Sequence, residues 1–276
     1  MWLRSVFGVD KPVIAVVHLP PLPGSGLYKG VPMDEIVEYA VSEARKLVDA
    51  GIDGVIVENF GDMTYAPGRV GPELPACMAV VVREVRRLGV PTGVCLLTDP
   101  IAGLAVAKAA GAAFVRATVY TEAVMDVSGI ITGCAHELLR FRKLLDATDI
   151  RILADVQVKH SRPLAAKPLE LSAIDAAYFQ ADAIIVTGEH TGFETPLEAV
   201  QHVREALAHY RLRPHVPVFV GSGVTAETLE ACLHVADGVI VGSFLKMDGV
   251  TTNPIDEKRL QQFMEAVRRA RIGGAT

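Results

Sequence analysis

The chain has 276 residues, with 27 lysines and arginines against 32 aspartates and glutamates, so its net charge of −5 lacks the basic excess of a general nucleic-acid binder. Half of the residues are hydrophobic and 21% are charged, which suits a parallel sheet buried on both faces. Mean hydropathy is +0.33, yet the richest apolar run, 76–82, falls well short of the ~18 residues that span a bilayer.

The opening MWLRSVFGVDKP carries neither a continuous apolar region nor a small-residue cleavage site, so no secretory signal is read and a cytoplasmic protein is expected. Peripheral attachment to a membrane surface and assembly into a homo-oligomer are left open. Cys77, Cys95, Cys134 and Cys232 are widely spaced and sit in apolar sequence. They read as small core residues of a reducing compartment, with neither a disulfide framework nor a zinc pattern.

Strand-like apolar runs alternate with helix-period segments along the whole length. The first strand is expected at 13–18, followed by a Pro- and Gly-rich connection from His18 to Pro32. A helix over 33–50 buries Ile36, Ala40, Ala44, Leu47 and Val48 and stops at Gly51. Strand two (54–58) runs into a long loop, 59–75, a lid candidate carrying Phe60, Asp62, Tyr65 and Arg69. Asp62 and Arg69 are read there as solvated side chains. Strand three (93–97), a helix (101–110), strand four (113–118), a loop with Tyr120, Glu122 and Asp126, and a helix (132–147) come next.

Strand five (152–158) has the most polar end, ADVQVKHS. Strict alternation would turn Asp155, Gln157 and Lys159 to one side, and Lys159 reads as a partner for the Asp155 carboxylate. After a helix over 171–180 and strand six (183–187), Thr195-Pro196-Leu197-Glu198 reads as a capping box with proline at the first helical position.

The stretch 216–246 then gives strand seven (218–220), the turn Gly221-Ser222-Gly223, a helix from about Ala226, strand eight (239–241) and the pair Gly242-Ser243. A helix over 256–271 closes the chain. Eight strand–helix units near the ~250 residues of a (β/α)8 barrel make a single TIM-barrel domain, 1–276, the expected fold class. Residues 1–10 are then an N-terminal extension and 272–276 a tail.

In such a barrel the strand C-terminal ends share one mouth. Polar residues there are His18, Glu58 with Asn59, Asp99, Arg116, Asp155, Lys159 with His160, Thr187 with Gly188, and the two Gly-Ser turns. Paired turns after strands seven and eight put bare N–H groups where a phosphate is commonly held. Glu58 and Asp155 are candidate proton-transfer carboxylates, with Glu58–Arg116 read equally as a buried ion pair. No cofactor is expected. A divalent metal drawn from His18, Glu58, Asp155 and His160 is kept as an alternative.

Beyond these patterns, the blocks KPVIAVVHLPPLPGSG, GVIVENFGD, GIITGCAHELLRFRK, ILADVQVKHS, AIIVTGEHTG, VFVGSGVT and GVIVGSFLKMDGVTTNPID resemble the BtpA/SgcQ family over roughly 11–271. The resemblance implies a barrel akin to ribulose-phosphate-binding barrels. It covers one member needed for photosystem I accumulation and another from a sugar-metabolism gene cluster. Glu58-Asn59, Asp155, Lys159-His160, Thr187-Gly188 and both Gly-Ser turns match. The chain departs from the family at Cys95-Leu96-Leu97-Thr98-Asp99 and at Arg116-Ala117-Thr118, where amide and guanidinium groups of the presumed mouth are absent.

The leading expectation is an enzyme acting on a small phosphorylated metabolite, of the phosphosugar kind, by isomerase-, epimerase- or lyase-type acid–base chemistry. Gly188, Gly221, Ser222, Gly223, Gly242 and Ser243 would hold the phosphate, and His18, Asn59, Asp99, His160 and Thr187 would contact the ligand. Asp155 and Glu58 would move protons, and Lys159 or Arg116 would stabilise an oxyanion. The alternatives are a non-catalytic assembly or stability factor, as the photosystem I member suggests, and a metal-dependent hydrolase.

Overall fold

Strand and helix alternate from the first residues of the computed structural model, which describes residues 2–210 and 215–273. Met1 of the expected extension and 274–276 of the expected tail lie outside them. A short helix, α1 (Trp2–Phe7), precedes β1 (Val13–His18), α2 (Met33–Ala50) and β2 (Gly54–Glu58). Then follow α3 (Glu73–Arg86), β3 (Thr92–Cys95), α4 (Pro100–Ala110) and β4 (Phe114–Ala117). A hairpin of β5 (Val124–Asp126) and β6 (Gly129–Ile131) intervenes before α5 (Ala135–Leu144) and β7 (Arg151–Val156). The two-residue β8 (Arg162–Pro163) leads to α6 (Leu169–Tyr178), β9 (Ala183–Val186) and α7 (Leu197–His209). The chain ends with β10 (Val218–Val220), α8 (Leu229–Val235), β11 (Gly238–Val241) and α9 (Glu257–Gly273).

Eight parallel strands close in the order β1-β11-β10-β9-β7-β4-β3-β2. The barrel is a packed core. Ile14, Val16, Ile56, Cys95, Phe114, Leu153, Ala183, Ile185, Phe219 and Ile240 fill its lumen. Two glycines make room for the large rings. A Cβ on Gly93 would come 2.1 Å from the Phe114 ring, and one on Gly238 would come 2.4 Å from Phe219. The outer faces of the strands pack under the helices, with α2 ending at Gly51 (φ 91°) and α4 at Gly111 (φ 77°), as the sequence pattern requires.

Three features were not visible in the pattern. The expected extension is a plug: Leu3 and Phe7 of α1 are buried against the lumen, with Phe7 edge-on to Phe114 at 5.5 Å. Trp2 Nε1 donates to the Asp182 carbonyl at 3.1 Å, tying the plug to the entrance of β9. Over the opposite end, β6-β5-β8 form a small antiparallel sheet, part of a stretch read as loop. Finally, Lys246 is fully buried, and its Nζ lies 3.1 Å from Glu43 Oε2, which also accepts from Ile255 N. This pair fastens the β11–α9 connection to α2.

Other boundaries moved. Strand five ends at Val156 rather than Val158, and the helix expected from Ala226 begins at Leu229. The Thr195 capping box does not form: α7 has no side-chain cap, and Thr195 Oγ1 instead donates to the Ser222 carbonyl at 3.0 Å. Among the described residues no helix is long and apolar enough to cross a membrane. All four cysteines are unpaired, with Cys95 and Cys232 buried and Cys77 and Cys134 half-buried.

Candidate functional site

The C-terminal ends of four strands bring His18, Glu58, Arg116 and Asp155 together, all buried. Arg116 is the hub. Its Nε and Nη2 donate to the two oxygens of Asp155 at 2.9 and 2.8 Å, and its Nη1 stands 3.8 Å from Glu58 Oε2. A planar guanidinium fork matches a carboxylate in this bidentate way, and the pair compensates the desolvation of both charges. Asp155 and Glu58 together raise the proton affinity of Arg116 above its ordinary value against the opposing effect of burial. The Asp155–Lys159 pair expected from the sequence is therefore corrected: Arg116 has taken both Asp155 oxygens.

His18 Nε2 lies 4.0 Å from Glu58 Oε1, and its ring meets Phe60 edge-on at 5.2 Å. Its Nδ1 is buried with no hydrogen-bond partner among the described residues. Burial, reinforced by Lys246, Lys159 and Arg116, pushes His18 well below the usual histidine range, so the ring is neutral. An unpaired buried nitrogen costs roughly 1–3 kcal/mol, which makes it a point where a ligand group has something to satisfy.

Alternation along strand five does not survive to Lys159. Gln157 adopts φ 46°, which swings the chain. Its side-chain amide donates outward to the Lys167 carbonyl (2.9 Å) and Ser172 Oγ (3.1 Å), and its N–H donates to Glu122 Oε2 (2.8 Å). Gln157 thus faces the helix layer, while Lys159, two residues on, returns to the mouth. The Lys159 N–H donates to Thr187 Oγ1 at 3.3 Å. Its ammonium has no hydrogen-bond or ion-pair partner among the described residues. Desolvation first and Arg116 second lower its proton affinity, against the pull of Glu58 and Asp155.

The two Gly-Ser turns enter the same cavity. Its wall includes His18, Glu58, Phe60, Arg116, Lys159, Thr191, Gly221, Ser222, Gly223, Gly242 and Ser243. Among the described residues, no protein acceptor pairs with the N–H groups of Gly223, Gly242 or Ser243. Gly223 (φ 70°) is also sterically required, since a Cβ there would lie 2.3 Å from Glu194 Cα in the loop after β9. Gly188 is placed differently: its N–H donates to Ser222 Oγ at 2.7 Å and is not free for a ligand. A wider chamber of about 280 Å³ opens on the other side of Glu58, Phe60, Arg116, Lys159 and Thr191. Leu97, Val119, Val124, Val127, Ile131 and Val158 give it an apolar wall.

Other candidates fall outside. Asn59 spends its amide on Leu97 N (2.7 Å) and Asp62 Oδ2 (2.8 Å). Asp99 caps α4 through Ile101 N and Ala102 N and accepts from Val70 N. Both are buried scaffold, outside either cavity wall. Asp62 is buried, not solvated, and accepts from Leu22 N at 2.8 Å. The lid candidate is pinned: Thr98 Oγ1 donates to the Ala66 carbonyl and accepts from Gly68 N.

Arg69 is exposed beside Glu137, and Thr187 serves as acceptor for Lys159 N. His160 (φ 63°) sits at the rim of the wider chamber, paired with Thr191 Oγ1 at 2.8 Å and with His190 at 3.1 Å between their Nδ1 atoms. His160, bonded to Thr191 and His190, does not join His18, Glu58 and Asp155 as the metal alternative expected. Among the described residues no group of three or more His, Cys, Asp or Glu is placed to hold a metal ion.

Phe60, read from the sequence only as a residue of the lid candidate, and Thr191, not singled out, line both chambers. Phe60 directly follows the Glu58-Asn59 strand end, and Thr191 lies in GEHTG; each was legible as a loop residue at the mouth but not as part of the wall.

The molecule is thus a closed eight-stranded parallel barrel with a polar cluster at its C-terminal mouth. The profile of the BtpA family matches residues 9–269, and the chain belongs to that family. The photosystem I biogenesis protein BtpA of Synechocystis is 39% identical over 270 residues, covering 97% of this chain and 91% of that protein. Two solved structures share the fold at low identity. One, described as native KDPGal, has TM-score 0.57 and 16% identity over 96% of this chain and 98% of that one. The other, the N-acetylmannosamine-6-phosphate 2-epimerase of Clostridium perfringens, has TM-score 0.54 and 12% identity over 98% and 96%.

Proposed function

We propose that the chain is an enzyme that binds a small phosphorylated metabolite, of the phosphosugar class, and carries out proton-transfer chemistry on it. One observation carries the reading. The unpaired N–H groups of Gly223, Gly242 and Ser243 open on the cavity that His18, Glu58, Arg116 and Lys159 also line. Backbone N–H groups at strand ends suit a phosphate because they offer directed donors that cannot be deprotonated. The named phosphate of the epimerase with the same fold supports the substrate class.

In this reading Glu58, with His18 and Arg116 on either side, exchanges the substrate proton. Arg116 and Lys159 hold the negative charge that builds on the substrate oxygen. Asp155 acts through Arg116, fixing the guanidinium by its two hydrogen bonds. Enolisation, and hence isomerisation or epimerisation, falls within the reach of these groups.

The test is a thermal-shift series with inorganic phosphate, pentose and hexose phosphates and their unphosphorylated counterparts, using native chain and Ser243→Asp. Stabilisation by phosphorylated compounds alone, lost in Ser243→Asp with the fold retained by circular dichroism, is the expected result. Equal response to sugars with and without phosphate would refute the reading.

A second reading, an assembly factor like the Synechocystis relative, is favoured by the β5–β6 hairpin. Val127 at its tip is 97% exposed, and Met125 and Ile130 are also open to solvent. It predominates if no phosphorylated compound binds and Val127→Asp, but not Glu58→Gln, abolishes the biological role.

A further inference from the structure

Four lysines among the described residues are not exposed: Lys46, Lys159, Lys167 and Lys246. Three have carboxylate partners, Lys46 and Lys246 at Glu43 and Lys167 at Asp175. Only Lys159 has none. It stands in the partition between the narrow polar cavity and the apolar chamber of about 280 Å³, contributing to both walls. Its neighbours are Arg116, a permanent cation held in place by Asp155, and the Glu58 carboxylate. A structural lysine would be paired, and a lysine serving only as a phosphate counter-charge would have no need of a partition between two chambers.

We propose that Lys159 forms an imine with the carbonyl carbon of a short phosphorylated ketone, whose phosphate lies at Gly223, Gly242 and Ser243 and whose carbon chain extends toward the apolar chamber. The inference rests on the phosphate reading above and deepens it to a covalent step, in which Lys159 attacks as the free amine and Arg116 alone holds the charge that builds on the carbonyl oxygen. The attacking form is the neutral amine, and removal from water and the nearby Arg116 charge both disfavour the ammonium form, against the opposite pull of Glu58 and Asp155.

The Lys159 Nζ lone pair forms the N–C bond while the carbonyl π pair moves to oxygen, which takes a proton from solvent. The nitrogen then loses a proton to Glu58, giving a neutral carbinolamine. Glu58 returns that proton to the hydroxyl, which leaves as water as the C=N bond forms. One amine, one ketone and one solvent proton give one protonated imine and one water, with no oxidant or reductant. A protonated imine withdraws electrons from the adjacent carbon, so loss of a proton there or cleavage of the next C–C bond becomes accessible at the same lysine.

Borohydride trapping tests this. The full chain is incubated near neutral pH with dihydroxyacetone phosphate or ribulose 5-phosphate, and in parallel with unphosphorylated dihydroxyacetone. Sodium borohydride is added, and the intact mass and the peptide carrying Lys159 are measured. The expected result is one secondary-amine adduct on Lys159 with a phosphorylated ketone, suppressed by excess inorganic phosphate and absent from Lys159→Met and Lys159→Arg. Thermal stabilisation by these ketones without a Lys159 adduct overturns the imine and leaves the phosphate reading standing. Neither stabilisation nor adduct overturns both. Adducts spread over the exposed Lys29, Lys143 and Lys258, insensitive to phosphate, also overturn the imine.

Discussion

Arg116 holds two carboxylates inside the barrel, and its removal shows how unequal the members of the cluster are. Arg116→Met leaves Asp155 and Glu58 buried without their cation. Breaking a buried pair in this way costs about 3–5 kcal/mol, so urea denaturation of Arg116→Met is expected to show a loss of that order. His18 gives a separate signature in pH. Its folded form is held neutral, with proton affinity well below the ordinary value of 6.5. The unfolded chain therefore binds a proton first, and stability falls as pH drops below about 6.5 toward the lower folded value. Each tenfold loss of proton affinity on folding corresponds to about 1.4 kcal/mol. His18→Gln is expected to flatten the acid side of a stability–pH curve measured between pH 7.5 and 5, and an unchanged slope would mean that His18 is not the titrating group.

At this scale Asp155 was legible, because a carboxylate in an apolar strand needs a partner. The identity of that partner was not. Lys159 is near in sequence, but the left-handed turn at Gln157 breaks the alternation, and Arg116 arrives from a neighbouring strand. Asn59 and Asp99 show the converse: polar residues at strand ends whose hydrogen bonds are spent on loop backbone, which no spacing rule reveals.

At the scale of elements, the loop after β9 is fitted against the Gly221-Ser222-Gly223 turn by Thr195, by the Gly188 N–H on Ser222 Oγ and by the absence of a side chain at Gly223. Adding one methyl at Gly223 brings it against Glu194 backbone and forces a side chain onto positive φ. Overpacking of this kind costs roughly 1–3 kcal/mol. Gly223→Ala is expected to lower the melting temperature and to weaken stabilisation by phosphorylated compounds together, both read from one thermal-shift series. A normal response to phosphate would separate this turn from binding. The glycine turns and the alternating strands were readable because turn chemistry and period are local. The β5–β6 hairpin was not, since its strands are three residues each and β5 pairs on its other side with β8 from a different loop.

Across the whole molecule, the barrel is closed at one end by α1 and carries its polar cluster at the other. Eight β/α units were readable because the barrel strands are buried on both faces and the helices carry an apolar stripe. The plug escaped because six residues at the start of a chain have no partner in the pattern. Leu3 is fully buried against the lumen, so Leu3→Ala is expected to cost about 2–5 kcal/mol by chemical denaturation, without altering binding at the distant mouth. A loss of less than about half a kcal/mol, the range of an ordinary surface substitution, would show that α1 is not part of the core.

The central claim is that this barrel holds a phosphate at the turns following β10 and β11. A crystal structure of the full chain soaked in inorganic phosphate tests it directly. The expected result is a tetrahedral density within hydrogen-bond distance of the N–H groups of Gly223, Gly242 and Ser243, facing Lys159. Phosphate found only elsewhere, or a cavity that takes water alone at concentrations that saturate other phosphate-binding barrels, would contradict it.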